Sequence, residues 1–401
     1  MKTGLFVGNI APEEGGGFTY VSELLRALEK AGAASAHEFV ICHHAAAAEC
    51  ARMFPGFPAL DLDRERSSVL SVRERLFSGL PPVLDRVYRE AMRPPAQPSW
   101  DERLYARHGI EFLVRLIPWN SMTLNVPFAA VHWDLQHRNN PWFPEVSGAE
   151  WDRRERNFSS LLRRAAVIYT GTHQGRREIE QYYQVPAERI CVVPFAAPRY
   201  ALAGTPADAG FVARLGLPRD YLFYPAQFWT HKNHVVVLEA CRLVREESGW
   251  DLGVVFSGSD KGNAAHVNAY ARKLGLEAVT RNLGFVGEAD LVQLYKHAYA
   301  LAFATFCGPD NIPPLEAFGL GCPVIASRVP GAEEQLGDAA LLFAPEDERA
   351  LAARILELRD PAVRLRLIEA GERRARQGSW EDYAAAIISS LDAFSRIRRA
   401  W

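Results

Sequence analysis

The sequence predicts an α/β protein of two domains, each built on a doubly wound parallel sheet. At 401 residues the chain is long for a single hydrophobic core and fits two domains. In the C-terminal half, short apolar runs alternate regularly with helical patterns, as in repeated βα units. Pro194, Pro198 and Pro206 mark a linker between the halves. Right-handed crossovers place the loops that follow the strands along one edge of each sheet.

Composition and charge narrow the classes of function. Hydrophobic residues make up 48% of the chain and the net charge is -2, which indicates a globular protein without an electrostatic footprint for nucleic acid. The six cysteines contain no Cys-x-x-Cys pair, which argues against a disulfide framework or a structural zinc site and favours a reducing compartment. The apolar run at residues 1–8 is too short for a signal peptide and predicts a first strand.

Apolar runs in the N-terminal half predict strands in sequence order. They lie at residues 5–7, 39–42, 110–116, 128–131, 165–169 and 189–193. A helix capped by residues 170–172 is expected to run through Tyr183. Residues 55–108, with a helical patch at 83–88, alternate acids and bases, which predicts a solvated helical face. An acceptor-binding or membrane-surface role is the less favoured alternative for this segment.

Glycines follow the first predicted strand and open a helix. Gly15, Gly16 and Gly17 precede an apolar stripe that repeats at helical spacing. A strand, a glycine loop and a helix form the plan of a phosphate site, because glycines let backbone N–H groups approach an anion at a helix N-terminus. The spacing is not Gly-x-Gly-x-x-Gly, so it does not match the dinucleotide fingerprint. A plain flexible turn is the alternative.

Polar residues follow the predicted strand at 128–131. The segment contains His132, Asp134, His137 and Arg138. In parallel sheets, chemistry is placed at such strand ends. The spacing of the histidines and the aspartate fits no standard metal site. Catalysis and a role as hydrogen-bonded loop anchors both remain open for each of them.

The C-terminal half predicts a second set of strands and helices. Strands are expected at 221–226, 252–256, 283–286, 299–304 and 323–326, and helices at 235–245, 266–274 and 289–298. Lys232 lies in the loop after the first of these strands and is a suitable cation for a diphosphate. Ser257 and Gly258 begin the next such loop.

The segment at residues 306–317 predicts a loop that leads into a short helix. Pro313 and Pro314 suit the first turn of a helix, where N–H groups have no partner. Glu316 then lies near the positive end of the helix dipole and is able to accept hydrogen bonds from ribose hydroxyls. The alternative is a carboxylate that stabilises only its own helix. With Lys232 and the glycine loop, Glu316 predicts a cleft for a nucleoside diphosphate.

Two segments resemble retaining glycosyltransferases of family 4, which have the GT-B fold. They are residues 224–234 (YPAQFWTHKNH) and 311–317 (NIPPLEA), supported by residues 132–138, the glycine loop and Ser379-Trp380. The resemblance implies two Rossmann-like domains that face a central cleft. Residues 1–198, with a returning helix in 380–401, would form the acceptor-side domain. Residues 199–379 would bind the nucleotide-sugar.

The resemblance also implies roles for individual residues. Lys232 would contact the donor diphosphate, Glu316 the ribose, and the backbone near Phe285 and Val286 the base. The implied donor-binding residues are Gly16, Gly17, Gln227, Lys232, Ser257, Gly258, Phe285, Val286, Asp310, Asn311, Ile312 and Glu316. The implied catalytic residues are His132, Asp134, Lys232 and Glu316. His137 and Arg138 are acceptor-side candidates.

Three positions depart from the family pattern. Gly308 stands where a glutamate that touches the transferred sugar is usual, and Asp310 is a candidate replacement. Gln227 replaces an arginine that often accompanies the lysine. Asn311 stands where glycine is usual, which asparagine tolerates because it accepts left-handed backbone angles. Residues 61–63 match the Asp-x-Asp tripeptide of metal-dependent glycosyltransferases, but the tripeptide is common by chance and is expected at the surface.

The resemblance implies retaining transfer of a sugar from a nucleoside-diphosphate sugar to a glycan or a lipid-linked glycan, without a separate cofactor or metal. The implied setting is bacterial polysaccharide or lipopolysaccharide assembly in the cytoplasm. Contact with the inner face of the membrane is left open. One alternative is a sugar-nucleotide epimerase, which would isomerise the donor without an acceptor. The other is a non-catalytic protein that binds sugar nucleotides or glycans, which would bind donor without transfer.

Overall fold

Two parallel sheets, each flanked by helices, form the framework of the protein. The computed structural model describes residues 1–70, 99–119 and 125–400. Over these residues one sheet has seven strands and the other has six, and all their pairings are parallel. The predicted pair of parallel-sheet α/β domains is therefore confirmed. The helical patch predicted at residues 83–88 lies outside the described residues.

The N-terminal sheet has the strand order β3-β2-β1-β4-β5-β6-β7. Its strands are β1 Lys2–Gly8, β2 Glu38–His43, β3 Ala59–Asp61, β4 Phe112–Arg115, β5 Phe128–His132, β6 Val167–Thr170 and β7 Ile190–Val192. In the register, Leu5 lies opposite Ile41 on one side and Val114 on the other. The strand order changes direction between β1 and β4, and ligands of doubly wound sheets bind at such a point. The glycine loop that follows β1 is at this point.

Helices cover both faces of the N-terminal sheet. They are α1 Gly16–Gly32, α2 Ala48–Arg52, α3 Leu62–Val69, α4 Trp100–Arg107, α5 Gln136–Asn139, α6 Gly148–Arg164 and α7 His173–Tyr183, with 3-10 turns at Pro12–Glu14, Ala45–Ala47, Pro144–Val146 and Ala187–Arg189. The apolar stripe of α1 is buried, as its spacing predicts. The hydroxyl of Thr172 accepts a hydrogen bond from Gly175 N at 3.0 Å and caps α7.

The C-terminal sheet has the strand order β10-β9-β8-β11-β12-β13. Its strands are β8 Asp220–Pro225, β9 Leu252–Ser257, β10 Thr280–Asn282, β11 Ala300–Phe303, β12 Val324–Ser327 and β13 Ala340–Phe343. Every residue of β9 is buried, which explains the unbroken apolar run that predicts it. The order changes direction between β8 and β11. The segments that follow these two strands carry Lys232 and Glu316, so both residues lie at the second switch point.

The helices of the C-terminal half alternate with its strands. They are α8 Arg199–Leu202, α9 Phe211–Arg214, α10 His234–Ser248, α11 Ala264–Lys273, α12 Glu288–His297, α13 Ile312–Gly319, α14 Ala332–Leu336, α15 Glu348–Glu357 and α16 Pro361–Ala375, with 3-10 turns at Thr230–Lys232 and Glu277–Val279. Pro313 and Pro314 lie in the first turn of α13, as predicted. No helix in the described part of the chain is both long and apolar enough to cross a bilayer.

The last helix, α17 Trp380–Arg398, returns to the N-terminal sheet and packs against α1. Trp380, Tyr383, Ile387 and Leu391 are buried in the N-terminal core. Ser379 caps the helix, because its hydroxyl accepts a hydrogen bond from Asp382 N at 3.1 Å. The helix therefore joins the end of the chain to the first domain.

The structure differs from the sequence predictions at three places. Residues 283–286 are not a strand, because β10 ends at Asn282 and Gly284 turns the chain at a φ of +64°. The strands β3 and β13 were not predicted, since both are short and lie at sheet edges. In the tripeptide at 61–63, Asp63 is exposed as expected, but Leu62 is fully buried. Asp61 caps α3 by accepting from the N–H groups of residues 63 and 64.

Trp380→Ala tests the contribution of the returning helix to stability. Trp380 is 2% exposed, so we expect the substitution to lower the free energy of unfolding by about 3–5 kcal/mol. Ile397→Ala on the same helix is the control, because Ile397 is 60% exposed and its loss should change little. Urea unfolding of both variants measures the difference. Equal losses of unfolding free energy in the two variants would show that Trp380 does not stabilise the packing of α17.

Candidate functional site

A cavity of about 500 Å³ lies between the two sheets, at the edges where their strands end. Both domains contribute to its wall. All twelve residues predicted to bind the donor line it, and they are Gly16, Gly17, Gln227, Lys232, Ser257, Gly258, Phe285, Val286, Asp310, Asn311, Ile312 and Glu316. The sequence therefore identified residues that the fold brings to one place. Their roles towards a ligand stay predictions.

The glycine loop forms the start of α1 instead of a flexible turn. Gly15 has a φ of +60° and directly precedes the helix, so the chain enters α1 through the left-handed region. A Cβ on Gly17 would lie 3.3 Å from the ring of Trp133, which also lines the cavity. No side chain among the described residues caps this helix. The first-turn amides of a 17-residue helix are therefore at the cavity wall, where the helix dipole favours an anion.

Lys232 is the cation at the cavity wall on the C-terminal side. Its Nζ lies 5.5 Å from the centroid of the Phe303 ring, and within the described residues no carboxylate approaches it within 4 Å. Burial lowers the pKa of Lys232, whereas Cys307, Asp134 and Glu145 oppose this shift. An unpaired, half-buried ammonium group in a cavity attracts a charged ligand such as a diphosphate.

Glu316 is held by two tyrosines. The hydroxyl of Tyr295 donates to Oε2 at 2.5 Å, and the hydroxyl of Tyr200 donates to Oε1. Burial raises the pKa of this carboxyl group, and the two hydrogen bonds oppose the shift. Each carboxylate oxygen keeps a further lone pair for a ligand hydroxyl. Glu316 thus lines the cavity and binds tyrosines of two other helices instead of stabilising only its own helix, and its role as a ribose ligand stays a prediction.

Gln227, which replaces an arginine of the family pattern, reaches across the cleft. Its Nε2 donates to the carbonyl oxygen of Glu13 at 3.0 Å and to Ser259 Oγ at 3.2 Å. Its Oε1 accepts from Trp229 Nε1 at 3.0 Å. The amide group is therefore engaged in holding the loop before α1 against the C-terminal domain.

Asp310 lies at the contact between the domains. Its Oδ2 accepts from Phe195 N at 3.4 Å, and its Oδ1 accepts from Gln335 Nε2. A Cβ on Gly171 would lie 1.6 Å from Oδ2, so only glycine at position 171 lets the carboxyl group approach. Burial raises the pKa of Asp310 to about 8, and the nearby charge of Glu334 adds to this shift.

The loop geometry explains the absence of a glutamate at Gly308. Gly308 has a φ of +112°, a region that side chains other than hydrogen disfavour. Asn311 Nδ2 donates to the carbonyl oxygen of Gly308 at 2.8 Å and closes the loop. Asn311 itself is extended, with a φ of -135°, so the tolerance of asparagine for left-handed angles is not used there. The tolerance for unusual backbone angles is needed at Gly308 instead.

His132 and Asp134 lie beside the cavity but do not line it. His132 is 1% exposed, its Nδ1 lies 3.3 Å from Thr170 Oγ1, and its Nε2 has no hydrogen-bond partner among the described residues. Burial lowers the pKa of His132 to about 4, so the ring is neutral near pH 7. Asp134 Oδ1 accepts from Arg154 Nη2 at 2.5 Å and from Gln136 N at 2.9 Å. It is a charged anchor whose field reaches Lys232.

His137 and Arg138 belong to a polar cluster around Glu155. Arg138 Nε donates to Glu155 Oε2 at 2.8 Å, and Tyr183 OH donates to the same oxygen at 3.0 Å. His137 Nε2 lies 3.2 Å from it. The structure thus gives these residues the arrangement of loop anchors, and their acceptor-side role stays a prediction.

The sequence interpretation missed several residues at the cleft. Trp133, adjacent to the predicted polar segment, lines the cavity and packs edge-on against Tyr20. Glu145 accepts from His231 N at 2.9 Å and lies 2.5 Å from His231 Nδ1, next to Lys232. Trp133 could have been found from its place at a strand end. No local sequence pattern indicated Glu145, because its partner His231 lies in the other domain.

No group of three or more metal-binding side chains occurs within residues 1–70, 99–119 and 125–400. In the tripeptide at 61–63, Asp61 caps α3 and Asp63 lies 3.0 Å from His44 Nδ1. Both carboxylates therefore have structural partners.

Part of the chain is similar in sequence to known glycosyltransferases. The family model for glycosyl transferases group 1 matches residues 212–374. O-antigen chain mannosyltransferase B of Escherichia coli is 28% identical over 239 residues, which cover 59% of this chain and 63% of that protein. The match spans less than two thirds of the relative's length.

Solved structures share the whole architecture. Sucrose-phosphate synthase of Thermosynechococcus elongatus has a TM-score of 0.71 at 18% identity and covers 100% of both chains. Anabaena HepE in complex with UDP-glucose has a TM-score of 0.67 at 15% identity, over 97% of this chain and 100% of that one. These similarities confirm the predicted GT-B fold. The resemblance to group 1 glycosyltransferases is also confirmed, and membership of family 4 stays a prediction.

Asp310→Asn tests the environment of the interdomain carboxyl group. The folded-state pKa of Asp310 is raised to about 8, so the folded protein keeps a proton that the unfolded chain loses near pH 4. Protonation therefore stabilises the fold fully at low pH, and this contribution is lost as the pH rises to 8. We expect the wild-type midpoint of thermal unfolding to fall more steeply between pH 6 and 8.5 than that of the variant.

The exposed Asp338 supplies the matched control, since Asp338→Asn should leave the wild-type slope unchanged. Equal slopes in wild type and Asp310→Asn would show that Asp310 is already ionised at pH 6.

Proposed function

We propose that this chain, whose residues 212–374 match the group 1 glycosyltransferases, is a retaining glycosyltransferase. It moves a sugar from a nucleoside-diphosphate sugar to an acceptor hydroxyl. One observation carries the proposal. The cavity between the sheets brings together the first-turn amides of α1 from one domain and the unpaired Lys232 from the other. Two positive groups that face one cavity of about 500 Å³ suit a diphosphate with an attached sugar.

The proposed chemistry depends on stabilising the leaving group. As the bond between the anomeric carbon and the diphosphate breaks, negative charge develops on the phosphate oxygen. Lys232 and the amides of α1 lower the energy of this charge without a metal ion. The acceptor hydroxyl forms its bond to the anomeric carbon on the face that the diphosphate leaves, and its proton passes to the leaving phosphate oxygen. Configuration is thereby retained.

The two domains enclose the site, which limits hydrolysis of the donor. Gln227 contacts Glu13 across the cleft, and Glu145 contacts His231. Opening these contacts would admit the donor, and closing them would exclude water before transfer. Domain motion is therefore part of the proposed cycle.

The relatives suggest the setting of the reaction. One of them is named an O-antigen chain mannosyltransferase, and HepE was solved with UDP-glucose. We extend this to polysaccharide or lipopolysaccharide assembly, with a glycan or a lipid-linked glycan as acceptor. An acceptor carried on a lipid would bring the protein to the inner face of the cytoplasmic membrane.

Lys232→Ala tests the diphosphate contact. Loss of a hydrogen bond to a charged group costs about 1.5–3 kcal/mol, so we expect nucleoside-diphosphate affinity to fall about 10- to 100-fold. Isothermal titration calorimetry with GDP and with UDP measures this affinity. Lys273→Ala is the control, because Lys273 is exposed on α11 and away from the cavity wall. Unchanged affinity in Lys232→Ala would contradict the assignment of the diphosphate to this end of the cleft.

His132→Ala tests the sugar end of the site. His132 precedes Trp133, which lines the cavity, and its buried Nε2 has no hydrogen-bond partner among the described residues, so we propose that it contacts the transferred sugar once the donor is bound. We expect turnover to fall about tenfold and donor affinity to change less. Exposed His266 supplies the control variant, His266→Ala, which should retain normal turnover. If His132→Ala also turned over normally, His132 would have no part in transfer.

A further inference from the structure

We infer that the nucleotide end of the cavity selects guanine, so that the donor is a GDP-sugar. This inference rests on the proposed function and names the donor class for the same site. It is carried by Glu288 and by the free backbone groups of Phe285 and Val286. These three residues line the cavity together with Glu23.

The position of Glu288 follows from its neighbours. Glu288 is the first residue of α12 and directly follows the loop that holds Phe285 and Val286. Tyr200, whose hydroxyl binds Glu316, lies close enough to Glu288 and Glu23 for both charges to raise its pKa. Glu288 and Glu23 therefore line the same cavity as Glu316, the predicted ribose contact, and lie near the tyrosine that binds it.

The backbone of Phe285 and Val286 is free to bind a ligand. Gly258 N donates to Gly284 O at 2.7 Å, which is the last contact of this loop with the sheet. After it, the N–H and C=O groups of Phe285 and Val286 have no hydrogen-bond partner among the described residues. The Phe285 ring is 50% exposed, so it also offers an apolar surface beside these groups.

The two carboxylates at this end differ in their partners. Glu288 is exposed and makes no ion pair or hydrogen bond with any described side chain. Glu23 is 3% exposed and pairs with two arginines: Arg26 Nη1 donates to Oε1 at 3.5 Å, and Arg199 Nη1 lies 3.5 Å from Oε2, which makes no hydrogen bond in the described part of the chain. Burial raises the pKa of Glu23, whereas the charges of Arg199 and Arg26 oppose the shift. Glu288 is therefore the carboxylate at this end that no arginine among the described residues neutralises.

Guanine is the base whose edge complements such a wall. Its Watson–Crick edge carries two adjacent donors, N1–H and the N2 amino group, beside the O6 acceptor. The carboxylate of Glu288 can accept from both donors while a backbone N–H of the 285–286 loop donates to O6. Uracil has one donor between two carbonyl oxygens, so a carboxylate placed there would face a lone pair. Adenine and cytosine each offer a single amino donor beside a ring acceptor.

The expected preference for GDP over other nucleotides follows from the number of hydrogen bonds made to the base edge. A good bidentate contact to a base edge discriminates against the wrong base by about 10- to 100-fold. We therefore expect the wild-type chain to bind GDP at least tenfold more tightly than UDP or ADP. Isothermal titration of the full chain with each nucleotide measures this ratio.

Glu288→Gln tests the residue assignment, since the amide can accept only one of the two donors and presents its own amino group to the other. The ratio of GDP to UDP affinity should fall towards one, mainly because GDP affinity is lost. Asp290→Asn is the matched control. It removes the same charge from the first turn of the same helix but lies outside the cavity wall, so it should keep the wild-type ratio.

The outcomes separate this inference from the function on which it rests. UDP or ADP binding as tightly as GDP in the wild type would overturn guanine selection and leave the glycosyltransferase proposal standing. If Glu288→Gln kept the wild-type ratio of GDP to UDP affinity, the assignment of Glu288 to guanine binding would be overturned. Binding of none of the three nucleotides would overturn the proposed function itself. Glu288 is exposed, so its substitution should not affect folding.

Discussion

An aromatic cluster between α1, the linker and the returning helix α17 is the contact on which the site depends. The ring of Tyr20 lies 5.0 Å from that of Phe195, 5.6 Å from Trp380 and 5.7 Å from Tyr383. Tyr20 OH also donates to Tyr383 OH at 2.8 Å. Tyr20 is in the first turns of α1, whose start lines the cavity. The cluster therefore fixes the glycine end of α1 relative to the linker that leads into the second domain.

This arrangement brings together two switch points that are far apart in sequence. The loop after β1 comes from one sheet, and the loops after β8 and β11 come from the other. The first sheet contributes the start of α1 to the cavity wall, and the second contributes Lys232. Contacts between loops complete the cleft, such as Glu145 with His231 and Asp310 with Phe195. Chemistry at this site is consequently sensitive to the relative position of the domains.

Periodic patterns predicted most of the fold, because burial of one helix face or of a whole strand requires apolar residues at a regular spacing in the sequence. The apolar residues of α1 and the buried run of β9 are examples. The same rule failed at residues 283–286, where Phe285 and Val286 line a cavity instead of extending the sheet. Motif spacing located Lys232 and Glu316 at the cavity wall. It did not reveal Tyr200 or Glu145, because each meets a partner more than 80 residues away and no local pattern records that pairing.

The two main departures from the family pattern are consistent with each other. An arginine and a glutamate that are usual near the donor are replaced here by Gln227 and Gly308. Their loss removes one positive and one negative charge, so the net charge of the wall around the diphosphate and sugar stays the same. In the proposed donor site, Lys232 would lack the arginine that often accompanies it in the family pattern, and also the opposing carboxylate that would weaken its field. Gln227 is left to join the loop before α1 to the C-terminal domain. A change at either position alone is therefore expected to alter the field at the proposed diphosphate site.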